Sequence, residues 1–426
     1  MSSFWAKNDI ELDDYVVLSY LFLTTIDPKE AAEHLCQEQS TAQWKRVDVD
    51  EDFRTKHGAK VLDLKILSSK ADLAKYRLDT PAAGKYFCLA KIAHPHVNFG
   101  PRFPNLLTSV AGEGAFFSRG IEFIKLLDME FPKGFLENFS GPRFGIDSMR
   151  SLMNIKDRPF FFGVVKPNIG LSPKAFADIA LEAFMGGLDV AKDDEMLSDI
   201  PWSPLIERTR LCADAARKAE DATGEKKVFL ANVTDEVDRL LELHDSAVKN
   251  GAGMVMVNVM TVGLSATRVL CRHSAVPVVA HFDFIAPMTM IPYHGISSAL
   301  LTKLQRIAGC DAIVMPGFGE RMKTQDEEVM ANVTACVNEL GNIKKSLPIP
   351  GGSDWAGTLP DMYERLGSAD FGFIPGRGVF GHSMGPRAGA KSLRQAWTLI
   401  RDGASIQDGA ERFPELKAAI DAFGGA

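Results

Sequence analysis

Gly186-Gly187-Leu188-Asp189-Val190-Ala191-Lys192-Asp193-Asp194-Glu195 is the stretch that decides the fold. It reads as a helix stop, a short apolar strand, and then four ionisable residues without a spacer. Gly186-Gly187 suits the left-handed turn that ends a helix. Leu188 to Ala191 is the apolar run of a strand buried on both faces, as in parallel sheets. Alternate side chains of a strand share a face, so Lys192 and Asp194 point the same way. Glu195 starts the following loop and can bend back towards them. Asp193 points away, to pair with a helix.

Two carboxylates and a lysine converging at a strand end are costly unless something compensates them. They form either an ion pair at the rim of a barrel or sheet, or a divalent metal site. Hard oxygen ligands suit Mg²⁺, which usually keeps waters or takes substrate oxygens. Lysine is no oxygen ligand as it stands, but a carbamate formed from its neutral amine and CO₂ is one. The adjacent carboxylates favour the ammonium and oppose that reaction, so a metal ion would have to trap the carbamate.

Outward from this stretch the rhythm is regular. Upstream, Ser172 is a candidate N-cap with Pro173 at the first helical position, and Phe176, Ile179, Ala180, Ala183 and Phe184 make one apolar, packing face. Short apolar strands alternate with amphipathic helices: Phe161–Val165, Leu188–Lys192, Val228–Val233, Met254–Val259, Val276–Phe282, Ala312–Met315, Leu347–Pro350 and Phe371–Ile374. Eight such strands in roughly 215 residues match a (β/α)₈ TIM barrel better than the alternative, a doubly wound open sheet. Chemistry in such barrels gathers at the C-terminal strand ends. That rule selects Lys166, Lys192 with Asp194 and Glu195, Asn232, Asn258, and His281-Phe282-Asp283. It also selects Pro350-Gly351-Gly352-Ser353 and Gly376-Arg377-Gly378 after strands seven and eight, where barrels bind phosphate through backbone N–H groups. The bland alternative for those two loops is tight turns.

The first part of the chain lacks this alternation. Strand candidates Tyr15–Leu23, Ala59–Leu67, Lys85–Ala93 and Glu122–Glu130, with a helix over Pro28–Glu38, predict a separate α+β domain of mostly antiparallel sheet. Phe139–Pro159 reads as the connector. The expected division is therefore residues 1–140 and 141–426.

With 426 residues, 46% hydrophobic and 24% charged, the composition is that of an ordinary globular protein. A net charge of -7 and the lack of a basic cluster argue against nucleic acid as a partner. No apolar run is long enough to span a bilayer, and Met1 to Asp14 has no signal-peptide core, so a cytoplasmic location is expected. The six cysteines (Cys36, Cys88, Cys212, Cys271, Cys310, Cys336) are scattered and read as reduced thiols, most of them buried. His94-Pro95-His96 has the spacing of a metal pair but is expected to be structural, and so is His382.

Gly163-Val164-Val165-Lys166-Pro167-Asn168-Ile169-Gly170-Leu171, followed by Gly187 to Glu195, resembles the RuBisCO large subunit. The resemblance continues through Pro350-Gly351-Gly352, Gly376-Arg377-Gly378-Val379-Phe380-Gly381-His382, Glu38 to Trp44, and Asn105, and so spans nearly the whole chain. It implies an N-terminal α+β (ferredoxin-like) domain on a (β/α)₈ barrel. It further implies a head-to-tail homodimer, or an oligomer of such dimers, with active sites at the subunit interface and no small subunit. Carried over by position, Lys192 is the carbamylated lysine, and Asp194 and Glu195 are the Mg²⁺ carboxylates. Lys166 is the lysine of enolisation. Gly351, Gly352, Gly376 and Arg377 form one phosphate site, helped by Gln43 and Trp44 of the partner subunit, with Asn105 and Glu38 facing the substrate.

The departures bear on function. The family's second lysine is Asn168, its His-Arg pair after strand five is Asp283-Phe284, and its histidine at strand six is Val314. Arg321, in an altered loop Met315 to Glu320, stands for the mobile-loop lysine, and the two side chains differ in shape and hydration. Pro350 replaces a serine. One phosphate site remains, while the second would set a phosphate against Phe284 and Val314 without donors. The resemblance thus narrows to a RuBisCO-like protein (form IV) of the phototrophic-bacterium type, with no CO₂-fixing activity. The chemistry that survives is Mg²⁺-dependent enolisation or isomerisation of a sugar monophosphate. Lys166 is the first candidate for acid–base work, then the carbamate of Lys192, then Asp283; His281 shares the Asp283 face and could touch substrate. Relatives act on methylthio-sugar phosphates in sulfur metabolism or decarboxylate branched sugar acids. One methylthio enolase subgroup places its base near Asn105, where this chain has none. The alternative is a catalytically silent relative with a binding or regulatory role in sulfur metabolism or the oxidative stress response. The three charges Lys192, Asp194 and Glu195 speak against full silence, because buried without a metal they would be destabilising.

Overall fold

The computed structural model describes residues 4–6, 10–43 and 53–424. They form two compact units, one of residues 1–140, 284–304 and 340–343, the other of residues 141–283, 305–339 and 344–426. A single boundary at residue 140 therefore misses two later segments that join the first unit.

In the first unit β1 (Tyr15–Thr24), β2 (Lys60–Ile66), β3 (Tyr86–Pro95) and β4 (Ile121–Glu130) form an antiparallel sheet in the order β4-β1-β3-β2. The two-residue strand Gly295–Ile296 adds a parallel edge on β4. The expected strands are all present within two residues, and the helix Pro28–Glu38 is capped by Asp27, whose Oδ1 accepts from the N–H groups of Lys29 and Glu30. That order, with helices after β1 and β3, is ferredoxin-like.

The second unit is the barrel. Its parallel strands are Phe160–Val164, Val190–Lys192, Val228–Asn232, Met254–Asn258, Val278–His281, Ala312–Pro316, Leu347–Gly351 and Gly372–Phe373. All eight expected strands occur, and the last closes onto the first, with Gly372 opposite Phe160. Gly372 also lies hard against the seventh strand, where any side chain would come within 2.7 Å of Ile349. Strand periodicity fills the lumen: Phe160 and Phe162, Val228 and Leu230, Met254 and Met256, and Leu347 and Ile349 belong to one buried cluster. Each such side chain contributes about 1.5–3 kcal/mol on burial.

Phe139–Pro159 is more than a connector. Gly145–Met153 is a helix, and its Ile146, Met149 and Met153, spaced one helical turn or two apart, join the lumen cluster. The helix Pro173–Met185 begins as expected, with Ser172 Oγ accepting from the Ala175 N–H. At its end it is Gly187, not Gly186, that adopts a positive φ, of 108°. Gly186 is needed for clearance, since a Cβ there would sit 2.1 Å from the carbonyl oxygen of Arg387.

Candidate active site at the barrel mouth

The lumen periodicity carries straight into the site. Val190 faces the lumen, so Lys192 and Asp194, two and four residues on, face inward above it. By the same count Phe162 and Val164 lead to Lys166, Leu230 to Asn232, Met256 to Asn258, and Val279 to His281 and Asp283. A polar layer thus sits where the apolar lumen stops. The alternate residues of the second strand point out to helices and arginines. Asp193 is fully buried and pairs with Arg208 of helix Leu205–Thr223 (2.7 Å), and Asp189 pairs with Arg158 (2.5 Å).

The inward groups touch one another in sequence. Lys166 Nζ donates to Asp194 Oδ2 at 2.9 Å and to Asn168 Oδ1 at 2.6 Å. Lys192, with no exposed surface, donates to Asp193 O at 2.8 Å and to Glu195 Oε2 at 3.3 Å. Glu195 Oε2 is 3.5 Å from His281 Nε2, and His281 Nδ1 is 2.8 Å from Asp283 Oδ2, a pair close enough to attract but not aligned for a hydrogen bond. Asn232 and Asn258 fix the turn after the second strand by donating from Nδ2 to the Glu195 carbonyl, at 3.0 and 3.1 Å. Burial alone would raise the Glu195 carboxyl, but Lys192, then His281, then Lys166 hold it down at about 2.

These residues suit a hard divalent ion. Asp194 and Glu195 are carboxylates facing two lysines whose ammonium groups already stand where positive charge is wanted. Glu195, His281 and Asp283 bring ligand atoms within 4.8 Å of one another, and the buried Asn258 Oδ1 has no hydrogen-bond partner. The carboxylate and amide oxygens here are of the kind Mg²⁺ takes, while the group of three includes an imidazole and not Asp194.

The loops after strands seven and eight lie beside this layer. Lys166 Cε is 3.2 Å from where a Cβ on Gly376 would sit, so that glycine makes room for the lysine. Gly378 abuts the backbone of Asp354 and Trp355 in the same way. Arg377 opens a four-residue helix, Arg377–Phe380. Gly351 O accepts from the Gly317 N–H at 2.8 Å. The Gly352 N–H, expected to be open to a phosphate, instead donates to Asp354 Oδ2 at 3.2 Å. Asp354 went unnoticed in the sequence. It is buried, and burial pushes its carboxyl up to about 7 against the Gly352 hydrogen bond. Its only sequence signal is an acid two residues beyond a pair of glycines.

Other predicted residues lie elsewhere. Arg321 is exposed on the turn Glu320–Met322 and takes no part in the contacts above. Val314 belongs to the apolar lumen cluster. Phe284 is 60% exposed with φ 68°. Glu38 is half-buried at the end of its helix. Gln43 Oε1 accepts from the Phe53 N–H at 2.9 Å, and Asn105 is exposed in helix Phe103–Ala111. All three belong to the first unit, and Trp44 lies outside the described residues. His94 and His96 each bond a backbone carbonyl, of Gln39 and Asp13, as structural histidines do. His382 Nε2 bonds Glu415 O and its Nδ1 accepts from the Met384 N–H. All six cysteines are free and buried.

A ferredoxin-like domain joined to a (β/α)₈ barrel, with a lysine and two acids closing the second strand, defines the class: the chain belongs to the RuBisCO large-chain family. The model of the ribulose bisphosphate carboxylase large chain catalytic domain matches residues 145–423, and that of its N-terminal domain matches residues 4–135. Within the family it is of the RuBisCO-like type known from phototrophic bacteria. It is 54% identical to the ribulose bisphosphate carboxylase-like protein of Allochromatium vinosum, over 97% of this chain and 91% of that one. Among solved structures it resembles the octameric Rubisco of Pyrococcus horikoshii, with a TM-score of 0.90, 29% identity, and coverage of 99% of this chain and 96% of that one. It also resembles the dimeric archaeal Rubisco of Hyperthermus butylicus, with a TM-score of 0.86, 28% identity, and 99% of each chain covered. No helix among the described residues is long and apolar enough to cross a membrane.

Proposed function

We propose that this protein does not fix CO₂ and catalyses enolisation or isomerisation of a sugar monophosphate, with Mg²⁺ as cofactor. The observation that carries the reading is the two runs of contacts, Lys166 to Asp194 and Lys192 through Glu195 and His281 to Asp283, on strand ends of one barrel mouth. Lys192 as its carbamate, Asp194 and Glu195 would hold the ion. The chemistry a bound Mg²⁺ supplies is polarisation of the substrate carbonyl, which eases loss of the neighbouring proton. Lys166 is the proton carrier of first choice, because Asn168 and Asp194 orient its amine beside the Gly376 loop. The carbamate of Lys192 is the second, and Asp283, 2.8 Å from His281, the third.

The backbone around Gly351, Gly352, Gly376 and Arg377 anchors the single phosphate, which enters by taking the place of the Asp354 carboxyl on the Gly352 N–H. The far end of the substrate is less polar, in keeping with Val314 in the lumen and Phe284 in place of arginine. A methylthio-sugar phosphate of sulfur metabolism has that shape, with one anionic end and one apolar end. The active protein is a head-to-tail homodimer, or an assembly of such dimers, in which the partner contributes the segment of Glu38, Gln43 and Trp44 together with Asn105. Relatives described as dimeric and octameric support the assembly of several copies. Arg321, at the place of the family's mobile-loop lysine, is assigned to substrate binding on that resemblance alone. The protein is expected to work in the cytoplasm.

The test is α-proton exchange in D₂O, followed by NMR over ketose and aldose monophosphates with Mg²⁺ and bicarbonate. Exchange that needs both additives supports the reading. Absence of exchange across the panel, with ligands still bound, would favour a silent binding or regulatory protein.

A further inference from the structure

A second cluster of metal-ligating side chains lies on the outer helices. His244 and Asp245 are on helix Leu240–Lys249, and His273 ends helix Leu264–His273. His273 ends its helix just before Ser274, which His244 bonds and which leads into the N-terminal end of strand Val278–His281, so the cluster is at the end opposite the active-site layer. Its role does not depend on the reaction assigned above.

We propose that His244, Asp245 and His273 bind one divalent ion of the zinc class, which ties these two neighbouring helices together. The count of protons points there. Ser274 has a single hydroxyl proton, and Oγ gives it to Val276 O at 2.6 Å while accepting the Val276 N–H at 3.2 Å. His244 Nε2, 2.9 Å from the same Oγ, must then be the donor and carries the ring proton. In neutral His244 the other nitrogen, Nδ1, is a bare lone pair. It faces the Asp245 carboxylate, with Oδ1 at 2.8 Å. With the ring proton on Nε2 two acceptors stand opposed, and a cation between them reconciles them without charging the ring or taking the Ser274 proton away from Val276 O.

A second proton would place a charge on a ring that is 2% exposed. A cation meets a ready-made donor set instead. His273 Nε2 approaches the same Asp245 Oδ1 at 2.6 Å, and the three ligand atoms all lie within 4.8 Å of one another. Two imidazoles and one carboxylate form the usual zinc-type set, which leaves a fourth position for water. Asp245 and His273 are open to solvent, with side chains 59% and 40% exposed, so the ion can enter and keep that water. Ser274 is the outer partner that fixes the His244 tautomer, as in known histidine sites.

The experiment is calorimetric Zn²⁺ titration of metal-stripped full-length protein carrying His281→Ala, alone and with His273→Ala or Asp245→Asn added to it. His281→Ala disables the histidine of the barrel-mouth cluster, so a zinc site that survives it is not that one. The expected result is one tight site per chain in His281→Ala, weakened in His273→Ala and Asp245→Asn by more than the ~10–100-fold that loss of an outer partner costs. Both weakened positions are exposed, and far-UV circular dichroism checks that the variants fold. In the His281→Ala background, a Cu²⁺ electron paramagnetic resonance signal with couplings to two nitrogens, reduced to one when His273→Ala is added, would agree. Zinc binding that is unchanged in His273→Ala and Asp245→Asn, or no tight site in His281→Ala, overturns the proposal and leaves a protonated His244, or its other tautomer with Ser274 donating to Nε2, as the answer to the opposed lone pairs.

Discussion

Replacing Asp354 by asparagine should stabilise the protein in a pH-dependent way. The Asp354 side chain sits at the loop after the seventh strand, is 6% exposed, and receives one hydrogen bond, from the Gly352 N–H. Its carboxyl ionises near 3.8 in an unfolded chain and near about 7 in the folded one. Between those values the folded protein keeps a proton that the unfolded chain has lost. Stability from this group is therefore fully present below about pH 4 and is lost as pH rises towards about 7. At about 1.4 kcal/mol for each tenfold change in proton affinity, the full loss is roughly 4 kcal/mol. The asparagine of Asp354→Asn would keep the size and the acceptor for Gly352 but never ionise. By the same arithmetic the stabilising gap over the natural protein is roughly 1.5 kcal/mol at pH 5 and roughly 4 kcal/mol at pH 8. Urea unfolding of both proteins at the two pH values measures it. A gap that does not change with pH, or a variant less stable at pH 8, refutes the account of this loop.

Arg208→Met strips the buried Asp193 of its partner and should cost about 3–5 kcal/mol in urea unfolding, while Asp193→Asn combined with Arg208→Met should recover part of that loss. Lys166→Ala should lower substrate-proton exchange by ~10²–10⁴-fold yet leave phosphate-ligand affinity nearly unchanged, which equilibrium dialysis would check. Phe284→Arg should tighten binding of a sugar bisphosphate relative to the monophosphate, read by competition; no change would count against a missing second phosphate site.

Much of this was legible in the chain because it follows from period two and period 3.6. The eight barrel strands are apolar runs that side-chain alternation makes visible, and counting on from Val190 puts Lys192 and Asp194 on one face. Gly145–Met153 was passed over because glycines and prolines around it read as punctuation, although Ile146, Met149 and Met153 do carry helical spacing. The grouping of residues 284–304 with the first unit was not legible, since it rests on the long-range pairing of Gly295–Ile296 with β4. Asp354 escaped for a related reason: an acid in a glycine-rich loop looks solvated until the surrounding turns bury it. The opposed lone pairs of His244 and Asp245 depend on Ser274, and neighbours in sequence do not reveal which nitrogen holds the proton.

The claim on which the account turns is that Lys192 takes up CO₂ and, with Asp194 and Glu195, grips a divalent ion. Incubation with ¹³C-bicarbonate and Mg²⁺, followed by ¹³C NMR of the protein, tests it directly. The account predicts a protein-bound carbamate signal that needs Mg²⁺ and disappears in Lys192→Ala. A spectrum without that signal, or one that persists in Lys192→Ala, would contradict it.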